Sequence, residues 1–288
     1  MIHLGLQKKI KKCLKNIGSR NMIQDINGKF NLDYKIISPR DNDYVLSFLD
    51  DNIQLINNDI PMYKDINANN LIYGFSIDSN RYFINLDDAK EGIININVFR
   101  NFYDREKAFA MITGYHLYTW YKNNKYCGRC GKRLTFGIKE RSMICDCGNI
   151  VYPRINPAVI VGLIHNDKIL LTKYRKGYKS YALVAGFTEI GESFEETVRR
   201  EVFEEVGLHV GKIEYYKSQP WGLSGSVLSG YFAYVIDEND TPILEVDELK
   251  EAKWFKKEEI DLVDNNTSLT REMILYFKNG GLDNDASR

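Results

Sequence analysis

Three glutamates stand at a spacing that would bring their carboxylates together on a helix. Glu201, Glu204 and Glu205 occupy positions i, i+3 and i+4, which are neighbours on a helical surface. Like charges at this spacing destabilise a helix, so something should compensate for them. Arg199 and Arg200 can neutralise part of the charge, and Mg²⁺ would do so better because it prefers hard carboxylate oxygens. The alternative is an ordinary solvated charged face.

The helix that would carry these glutamates has clear end signals. Ser193 followed by Glu196 has the spacing of a capping box, and Gly207 suits a C-terminal stop. Apolar residues recur every four positions and predict a stripe that faces the core. The residues of this stripe are Phe194, Val198, Val202 and Val206.

The loop before the helix extends the pattern. Gly186 is followed after five residues by Glu192, and after seven more by the run 200–208, R-E-V-F-E-E-V-G-L. This matches every position of the motif G-x5-E-x7-R-E-U-x-E-E-x-G-U, the Nudix box, in which U is an aliphatic residue. On this match the chain is identified as a member of the Nudix hydrolase superfamily.

The resemblance to Nudix hydrolases implies hydrolysis of a nucleoside diphosphate linked to another group. In such chemistry Mg²⁺ or Mn²⁺ ions neutralise the pyrophosphate and activate a water. By resemblance, the ligands of these ions are Glu201 and Glu205, with Glu204 as a further candidate, and the backbone carbonyl of Ala185. The catalytic residues carried over from the box are Glu192, Arg200, Glu201, Glu204 and Glu205.

Four of the five cysteines lie between residues 127 and 147. Cys127-x-x-Cys130 and Cys145-x-Cys147 are two close pairs of thiolates, which suit a tetrahedral structural zinc site. The second pair has one intervening residue where zinc ribbons usually have two. One alternative is a set of ordinary reduced thiols. Because several lysines and arginines lie in the same segment, a nucleic-acid-binding ribbon is another.

A second segment narrows the resemblance. Residues 218–226 read S-Q-P-W-G-L-S-G-S, and the family of NAD⁺ diphosphatases (NADH pyrophosphatases) carries S-Q-P-W-P-F-P-x-S at this place. The order of a divergent N-terminal domain, a four-cysteine ribbon, a Nudix box and this segment also resembles that family, over about residues 105–278. The chain replaces the central Pro-Phe-Pro with Gly222-Leu223-Ser224, which predicts a looser loop and weakens the expectation of strict dinucleotide preference.

The same resemblance implies the remaining site residues. Glu248 matches a further metal-binding glutamate, and Phe187 lies where a ring packs against the nicotinamide. Trp221 offers a second ring, although a tryptophan at such a place is more often part of a core. The residues assigned to substrate binding are Glu140, Tyr152, Phe187, Ser218, Gln219, Trp221, Ser226 and Thr270. Family members are generally homodimers, so a homodimer is implied.

The elements around these motifs alternate between strand and helix patterns. An apolar run at 158–164, a turn at Asn166-Asp167 and a second run at 169–174 predict a hairpin. Further strands are predicted at 181–185, 213–217 and 227–236. Strands mixed with isolated helices predict an α/β layer architecture.

The organisation along the chain suggests three domains. We expect a divergent N-terminal domain at 1–122 that ends in a helix at 105–122, and a zinc ribbon at 123–152. A Nudix hydrolase domain at 153–288 follows, with a last helix at 269–278. The predicted fold class is mixed α/β, and the resemblance implies a Nudix α/β/α sandwich for the third domain.

Composition sets the outer limits. Of the 288 residues, 44% are hydrophobic and 27% charged, which is ordinary for a globular protein. The 39 basic and 39 acidic residues cancel, so binding to nucleic acid or an anionic membrane needs a local patch. No apolar run approaches the roughly 20 residues of a membrane span, and the N-terminus lacks the apolar core of a signal peptide. A cytoplasmic location is therefore expected, with no membrane partner.

These observations favour an enzyme that hydrolyses the pyrophosphate of NAD⁺ or NADH to nicotinamide mononucleotide and AMP. Its cofactors would be Mg²⁺ or Mn²⁺ at the box and structural Zn²⁺ in the ribbon, and its partner a small dinucleotide. Alternatives with the same chemistry remove NAD caps from RNA 5′ ends, or prefer ADP-ribose or another nucleoside diphosphate. A different alternative is a regulator that senses a nucleotide without cleaving it. Such a protein should have damaged box glutamates, and here all are intact.

Overall fold

A computed structural model of the chain describes residues 22–176, 180–245, 247–261 and 268–284. The described residues divide into two compact units. One consists of Ile26–Ala158 and Ser218–Leu228, and the other of the described parts of Met1–Asp25, Val159–Lys217 and Ser229–Arg288. Cys13 lies outside the described residues, and the boundaries of the three expected domains stay predictions.

Two small sheets lie in the N-terminal part of the first of these units. Their strands are β1 (Phe30–Asn31), β2 (Tyr44–Leu46), β3 (Phe48–Leu49), β4 (Asn52–Gln54), β5 (Leu71–Ile77), β6 (Asn80–Asn85) and β7 (Ile93–Asn95). One sheet has the order β1-β5-β6-β2, with β2 parallel to β6, and the other has the order β3-β4-β7. The short mixed runs at 52–57 and 70–75 of the sequence predict short strands, and β4 and β5 confirm this prediction.

A long helix, α1 (Arg105–Asn123), packs on these sheets. It begins at Asp104, whose side chain accepts a hydrogen bond from the backbone N–H of Lys107 at 3.1 Å. Gly114 lets the helix approach β2 closely, because a Cβ atom there would lie 2.4 Å from Leu46 Cδ1. The helix predicted at 105–122 is confirmed and is one residue longer.

The cysteine segment forms a small antiparallel sheet of three strands. They are β8 (Thr135–Phe136), β9 (Met143–Ile144) and β10 (Ile150–Val151), in the order β10-β9-β8. Cys127 and Cys145 are buried together with Leu134 and Met143. The ribbon therefore has a small core next to its cysteines.

A six-stranded sheet is the framework for the Nudix box. Its strands are β11 (Asn156–His165), β12 (Lys168–Tyr174), β13 (Val184–Phe187), β14 (Val210–Trp221), β15 (Ser226–Val235) and β16 (Leu249–Lys256). The spatial order is β14-β15-β11-β12-β16, and β13 also pairs with β11. β11 and β12 form the predicted hairpin, whose turn places Asn166 at a φ of 53°.

Two helices complete this part of the molecule: α2 (Phe194–Val206) and α3 (Leu269–Lys278). Both were predicted. Val198, Val202 and Val206 of α2 are fully buried in one apolar cluster with sheet residues such as Val161 and Leu170, which confirms the predicted stripe. Within the four described ranges, no helix is long and apolar enough to cross a membrane.

The mixed α/β fold class is confirmed, with three differences in the strands. The strand predicted at 181–185 begins only at Val184, and Ala182 makes an isolated bridge to Thr172. β14 extends through Trp221, so this residue ends a strand and does not lie in a loop. β16 was missed, because its three lysines hide the alternation. Lysines are common on strands at the edge of a sheet, which is where β16 lies.

Candidate active site of the Nudix box

Local hydrogen bonds fix both ends of α2. The Ser193 side chain accepts from the N–H of Glu196 at 3.3 Å, and the Glu196 carboxylate accepts from the N–H of Ser193 at 2.7 Å. This is the predicted capping box. At the other end Gly207 adopts a φ of 66° and stops the helix. The helix boundaries thereby set where the box glutamates project.

Gly186, the first residue of the box, allows Glu201 to lie against β13. A Cβ atom at position 186 would lie 2.1 Å from both carboxylate oxygens of Glu201, far inside van der Waals contact. The adjacent Ala185 N–H donates to Glu205 Oε1 at 3.3 Å. A strand and a helix thus bring two of the three glutamates together around a glycine.

Glu205 is the most buried carboxylate of the site. Its residue is 3% exposed, and Oε2 has no hydrogen-bond partner among the described residues. Burial raises the pKa of Glu205 to about 8, and the negative charges of Glu201, Glu248 and Glu204 add to the rise, while the Ala185 N–H opposes it. Burial also raises the pKa of Glu201. A cation would reduce the charge repulsion and would give the unpartnered oxygen a ligand contact.

Arg200 ties the box loop to the helix. Its Nε and Nη2 donate to the two carboxylate oxygens of Glu192, at 2.6 and 2.9 Å, as a bidentate pair. Nη1 donates to Glu201 Oε1 at 2.7 Å and to Glu204 Oε2 at 2.9 Å, and Nη2 donates to the carbonyl of Phe187 at 2.9 Å. Hydrogen bonding to Arg200 lowers the pKa of Glu192 to about 2. Partial neutralisation by this arginine, expected from the sequence, is therefore present.

An open cleft of about 580 Å³ lies beside these carboxylates. Four residues of the predicted site line it, namely Ala185, Phe187, Glu201 and Glu248. Sequence reasoning missed four further lining residues: Tyr174, Lys176, Glu189 and Asp247. Asp247 could have been found as the neighbour of Glu248, and Tyr174 as the last residue of the second hairpin strand.

The residue types suit a hard divalent cation, but among the described residues only the four cysteines bring three or more ligand atoms within 4.8 Å of one another. Carboxylate oxygens of Glu201, Glu205 and Glu248 supply the oxygen ligands that Mg²⁺ and Mn²⁺ prefer, and the open cleft leaves room for the waters that Mg²⁺ retains. The side chain of Glu204 is 55% exposed and paired with Arg200. The assignment of individual ligands and catalytic roles stays a prediction.

The four predicted zinc ligands converge in the ribbon. The Sγ atoms of Cys127, Cys130, Cys145 and Cys147 all lie within 4.8 Å of one another. The Cys127–Cys147 and Cys130–Cys145 sulfur distances are 3.7 and 3.4 Å, close to the roughly 3.8 Å edge of a tetrahedron with Zn–S bonds of about 2.3 Å. The single residue between Cys145 and Cys147 does not prevent convergence. This cluster can hold zinc with no position left for a substrate.

The predicted substrate-binding residues are divided between the two units. Phe187, which is 53% exposed, and Thr270, which is half-buried in α3, belong to the unit with the Nudix box. Glu140 and Tyr152 belong to the other unit, where the Tyr152 hydroxyl donates to Glu140 Oε1 at 2.8 Å. That unit also contains Ser218, Gln219, Trp221 and Ser226.

Trp221 packs within its own unit. Its ring contacts the Phe99 ring at 5.8 Å between centroids in an edge-to-face arrangement, and the Arg100 guanidinium lies 5.1 Å from its centroid. Gln219 and Ser226 are buried, whereas Ser218 is exposed. The core alternative for Trp221 therefore has partial support, and its predicted contact with substrate stays a prediction.

Local contacts close the turn at 222–225, and the looser loop expected from the loss of two prolines stays a prediction. The Gly225 N–H donates to the Gly222 carbonyl at 3.2 Å. A Cβ atom at Gly222 would lie 2.1 Å from the Ile112 carbonyl oxygen of α1. Close approach to a backbone carbonyl leaves room only for glycine here, so the proline of the family pattern would not fit this arrangement.

Comparisons with known proteins agree with this site. Residues 154–277 match the family model described as the NUDIX domain. Proteins named NAD-capped RNA hydrolase NudC are similar to the chain. The one from Actinobacillus succinogenes is 39% identical over 160 residues, covering 52% of this chain and 60% of the relative. The one from Escherichia coli is 35% identical over 165 residues, covering 56% and 63%. The match thus spans less than two thirds of these relatives.

A solved NUDIX hydrolase from Nitrosomonas europaea is also similar, with 23% identity and a TM-score of 0.46, covering 55% of this chain and 93% of that one. The NUDIX domain match and the identity to the NudC proteins coincide with the capped helix, its glutamates and the cleft. Residues 154–277 therefore match a NUDIX domain, and over part of its length the chain is similar to the NudC proteins.

Proposed function

We propose that the chain hydrolyses the diphosphate of an NAD group, converting NAD⁺ to nicotinamide mononucleotide and AMP, and NADH to the reduced mononucleotide and AMP. The observation that carries the proposal is the buried Oε2 of Glu205, without a hydrogen-bond partner among the described residues, next to Glu201 and an open cleft. The similar NudC proteins are named as hydrolases of NAD-capped RNA, which supports an NAD group as the substrate.

The reaction adds one water across the P–O–P linkage. The water oxygen bonds to one phosphorus, the bridging P–O bond breaks, and the departing phosphate keeps the bonding electron pair. Mg²⁺ or Mn²⁺ held by Glu201, Glu205 and Glu248 would neutralise the diphosphate and lower the pKa of the attacking water. Glu204 and Glu205 are the candidates for accepting the water proton.

The remaining box residues would act by positioning. Arg200 and Glu192 hold the loop against α2 through their bidentate pair, and the Ala185 carbonyl would complete the metal ligands. Phe187 is exposed in the cleft and offers a ring to the nicotinamide. The substrate roles of Glu140, Tyr152, Ser218, Gln219, Trp221, Ser226 and Thr270 belong to the same proposal.

The direct test is to incubate the purified chain with NADH, NAD⁺ or ADP-ribose, each with Mg²⁺ or Mn²⁺, and to separate the products. We expect mononucleotide and AMP, formed faster from NADH or NAD⁺ than products from ADP-ribose. Faster cleavage of ADP-ribose would mean that the turn at 222–225 has changed the preference. No turnover of any of the three would favour capped RNA or the nucleotide-sensing regulator.

The second candidate is removal of the NAD cap from RNA 5′ ends, favoured by the names of the similar proteins. The bond cleaved is the same, and the two substrates differ in whether an RNA chain is attached to the adenosine. A comparison of kcat/KM for NAD⁺ and for a short RNA with a 5′ NAD cap decides between them. A value at least tenfold higher for the RNA would make the capped RNA the substrate.

Zinc in the ribbon, a homodimer and a cytoplasmic location complete the proposal. Four reduced thiolates suit a reducing compartment, and no disulfide links Cys127, Cys130, Cys145 and Cys147. Elemental analysis should find one zinc per chain. Light scattering of the purified chain should give twice the mass of 33.4 kDa; a monomer mass would remove the homodimer from the proposal.

A further inference from the structure

The cleft beside the box presents acidic groups to a ligand that is itself anionic. Glu189, Glu201, Asp247 and Glu248 all line it. Ionised carboxylates accept hydrogen bonds but cannot donate them, and they repel phosphate oxygens. Metal ions can neutralise part of this charge, but they contact only some of the oxygens of a diphosphate. Direct contacts from the protein to the remaining oxygens require donor groups.

Two side chains of the cleft can supply such contacts. Of the described residues that line it, only Tyr174 and Lys176 carry a side-chain hydrogen-bond donor. The nearby Arg200 is already engaged, because its donors bind three carboxylates and the Phe187 carbonyl. The hydroxyl of Tyr174 and the ammonium group of Lys176 are therefore the side-chain groups of the cleft lining that are suited to phosphate.

The backbone explains why both residues face the cleft. The pairing of β12 with β16 shifts register between Lys173 and Tyr174, and such bulges turn side chains toward functional sites. One residue later, the Arg175 N–H donates to the Glu248 carbonyl at 2.9 Å, which holds this segment beside the acidic one. Tyr174 is the last residue of β12, and Lys176 lies just beyond the strand in a bend; both line the cleft.

The surroundings of Tyr174 keep its hydroxyl protonated. Burial raises its pKa, and the negative charges of Glu205, Glu248 and Glu201 raise it further. A hydroxyl that stays neutral at physiological pH remains a donor. Lys176 is exposed at the cleft, where an ammonium group acts as a mobile point charge for phosphate.

We propose that Tyr174 and Lys176 form the phosphate-binding wall of this cleft, with the hydroxyl and the ammonium group donating to diphosphate oxygens. The inference deepens the proposed function, on which it rests for the nature of the ligand. It assigns binding to these residues and leaves the activation of water to the carboxylates.

The test measures binding of inorganic pyrophosphate by calorimetry in the presence of Mg²⁺, so that no turnover of NAD is needed. We expect Lys176→Gln to raise the Kd about tenfold, because a charge-assisted hydrogen bond is lost. Tyr174→Phe should raise it roughly fivefold, as expected for one neutral hydrogen bond. The double variant should lose at least about thirtyfold, and Lys176→Arg should recover most of the affinity.

Lys173→Gln is the matched control. Lys173 precedes Tyr174 on the same strand, but its Nζ lies 3.7 Å from Glu251 Oε2 and 4.0 Å from the centroid of the Tyr181 ring, and it does not line the cleft. The Kd of the Lys173→Gln variant for pyrophosphate should stay within about twofold of that of the unsubstituted chain, since Lys173 is not expected to contact the ligand. Circular dichroism and thermal melting of each variant establish that it is folded.

The outcomes separate this inference from the proposed function. Folded Tyr174→Phe and Lys176→Gln variants that bind pyrophosphate as the unsubstituted chain does would overturn it, whatever the turnover of NAD. So would an unsubstituted chain that does not bind pyrophosphate with Mg²⁺. If the chain binds pyrophosphate through these residues but hydrolyses no NAD, the wall stands and the proposed function fails.

Discussion

The four sulfurs of the ribbon lie within 4.8 Å of one another, whereas the carboxylates around Glu201 line an open cleft of about 580 Å³. In the ribbon, protein sulfur would fill every position of a tetrahedral ion. In the cleft, carboxylates leave positions for water and for a ligand. The difference indicates that zinc would hold the ribbon together, and that Mg²⁺ or Mn²⁺ would act on a ligand.

The ligand atoms of the two sites also differ in the hydrogen bonds that they accept from the protein. Cys127 Sγ accepts from the Arg129 N–H at 3.4 Å and from Asn149 Nδ2 at 3.5 Å, so its charge is partly stabilised by the protein. Glu205 Oε2 is buried without any partner among the described residues. The cleft therefore carries an electrostatic cost when it holds no cation, because a buried carboxylate without a partner is unfavourable.

The largest effect should follow from changing the buried carboxylate. Glu205→Gln removes a proposed metal ligand together with its negative charge, so we expect kcat for NADH to fall by about a thousandfold or more. The fold should persist, because the amide is nearly isosteric. Steady-state kinetics with Mg²⁺ measures the change in kcat, and thermal melting shows whether the fold persists.

Glu195→Gln is the control for this substitution, since Glu195 lies on the same helix with an exposed side chain away from the cleft lining. It should change kcat by less than about twofold, as expected for a surface charge. A Glu205→Gln variant that keeps most of its turnover would remove Glu205 from the proposed metal ligands and leave the cleft without its main support.

Replacing one cysteine of the ribbon should lower the stability of the folded chain. Cys145→Ser should reduce zinc from one per chain to a small fraction, and lower the free energy of unfolding by about 3 kcal/mol or more. Elemental analysis and calorimetric unfolding measure the two effects. Asp146→Asn, exposed between the two cysteines, is the control and should retain the metal. Full zinc content in the serine variant would contradict the four-sulfur site.

Substitutions at two glycines should separate an effect on turnover from an effect on stability. At Gly186 an added Cβ meets the movable end of the Glu201 side chain, whereas at Gly222 it meets the fixed Ile112 carbonyl. Gly186→Ala should therefore lower kcat by about tenfold to a hundredfold with little loss of stability. Gly222→Ala should lower the free energy of unfolding by about 2 kcal/mol. Kinetics and urea unfolding on both variants test this, and equal stability losses would contradict it.

The sequence predicted the helix and its glutamates because their signals are local. Ser193, Glu196 and Gly207 define the helix ends within one stretch of chain, and the apolar stripe follows from helical spacing alone. The cysteine cluster was equally accessible, since two close pairs suffice to suggest a metal. Residues such as these need no knowledge of how distant segments pair.

The features that the sequence did not reveal depend on pairing between distant segments. Tyr174 and Lys176 face the cleft because of a register shift against β16, and β16 itself was missed. Gly222 lies close to the backbone of α1, and no local sequence pattern predicts this contact. The replacement of the motif's proline by Gly222 therefore accompanies a close approach of two backbones, which the local sequence does not reveal.

The smallest predicted effect is a pH dependence of stability that only the cleft should show. With no divalent cation in the cleft, burial and neighbouring charges raise the pKa of Glu205 from 4.5 to about 8. The folded chain then binds more protons than the unfolded chain between these values. The stabilising contribution is complete below about pH 4.5 and is lost as the pH rises through about 8. Stability should therefore fall by about 1 kcal/mol between roughly pH 6 and pH 7.

Urea unfolding of the zinc-loaded chain at these two pH values, without Mg²⁺, measures this slope. The Glu205→Gln variant should lack it, and histidines contribute equally to both proteins, so the difference between them isolates Glu205. Saturating Mg²⁺ should also flatten the slope in the unsubstituted chain, because the bound ion favours the ionised carboxylate. Parallel slopes in the two proteins would mean that Glu205 is already compensated, and the contrast between a self-sufficient ribbon and a cation-dependent cleft would no longer hold.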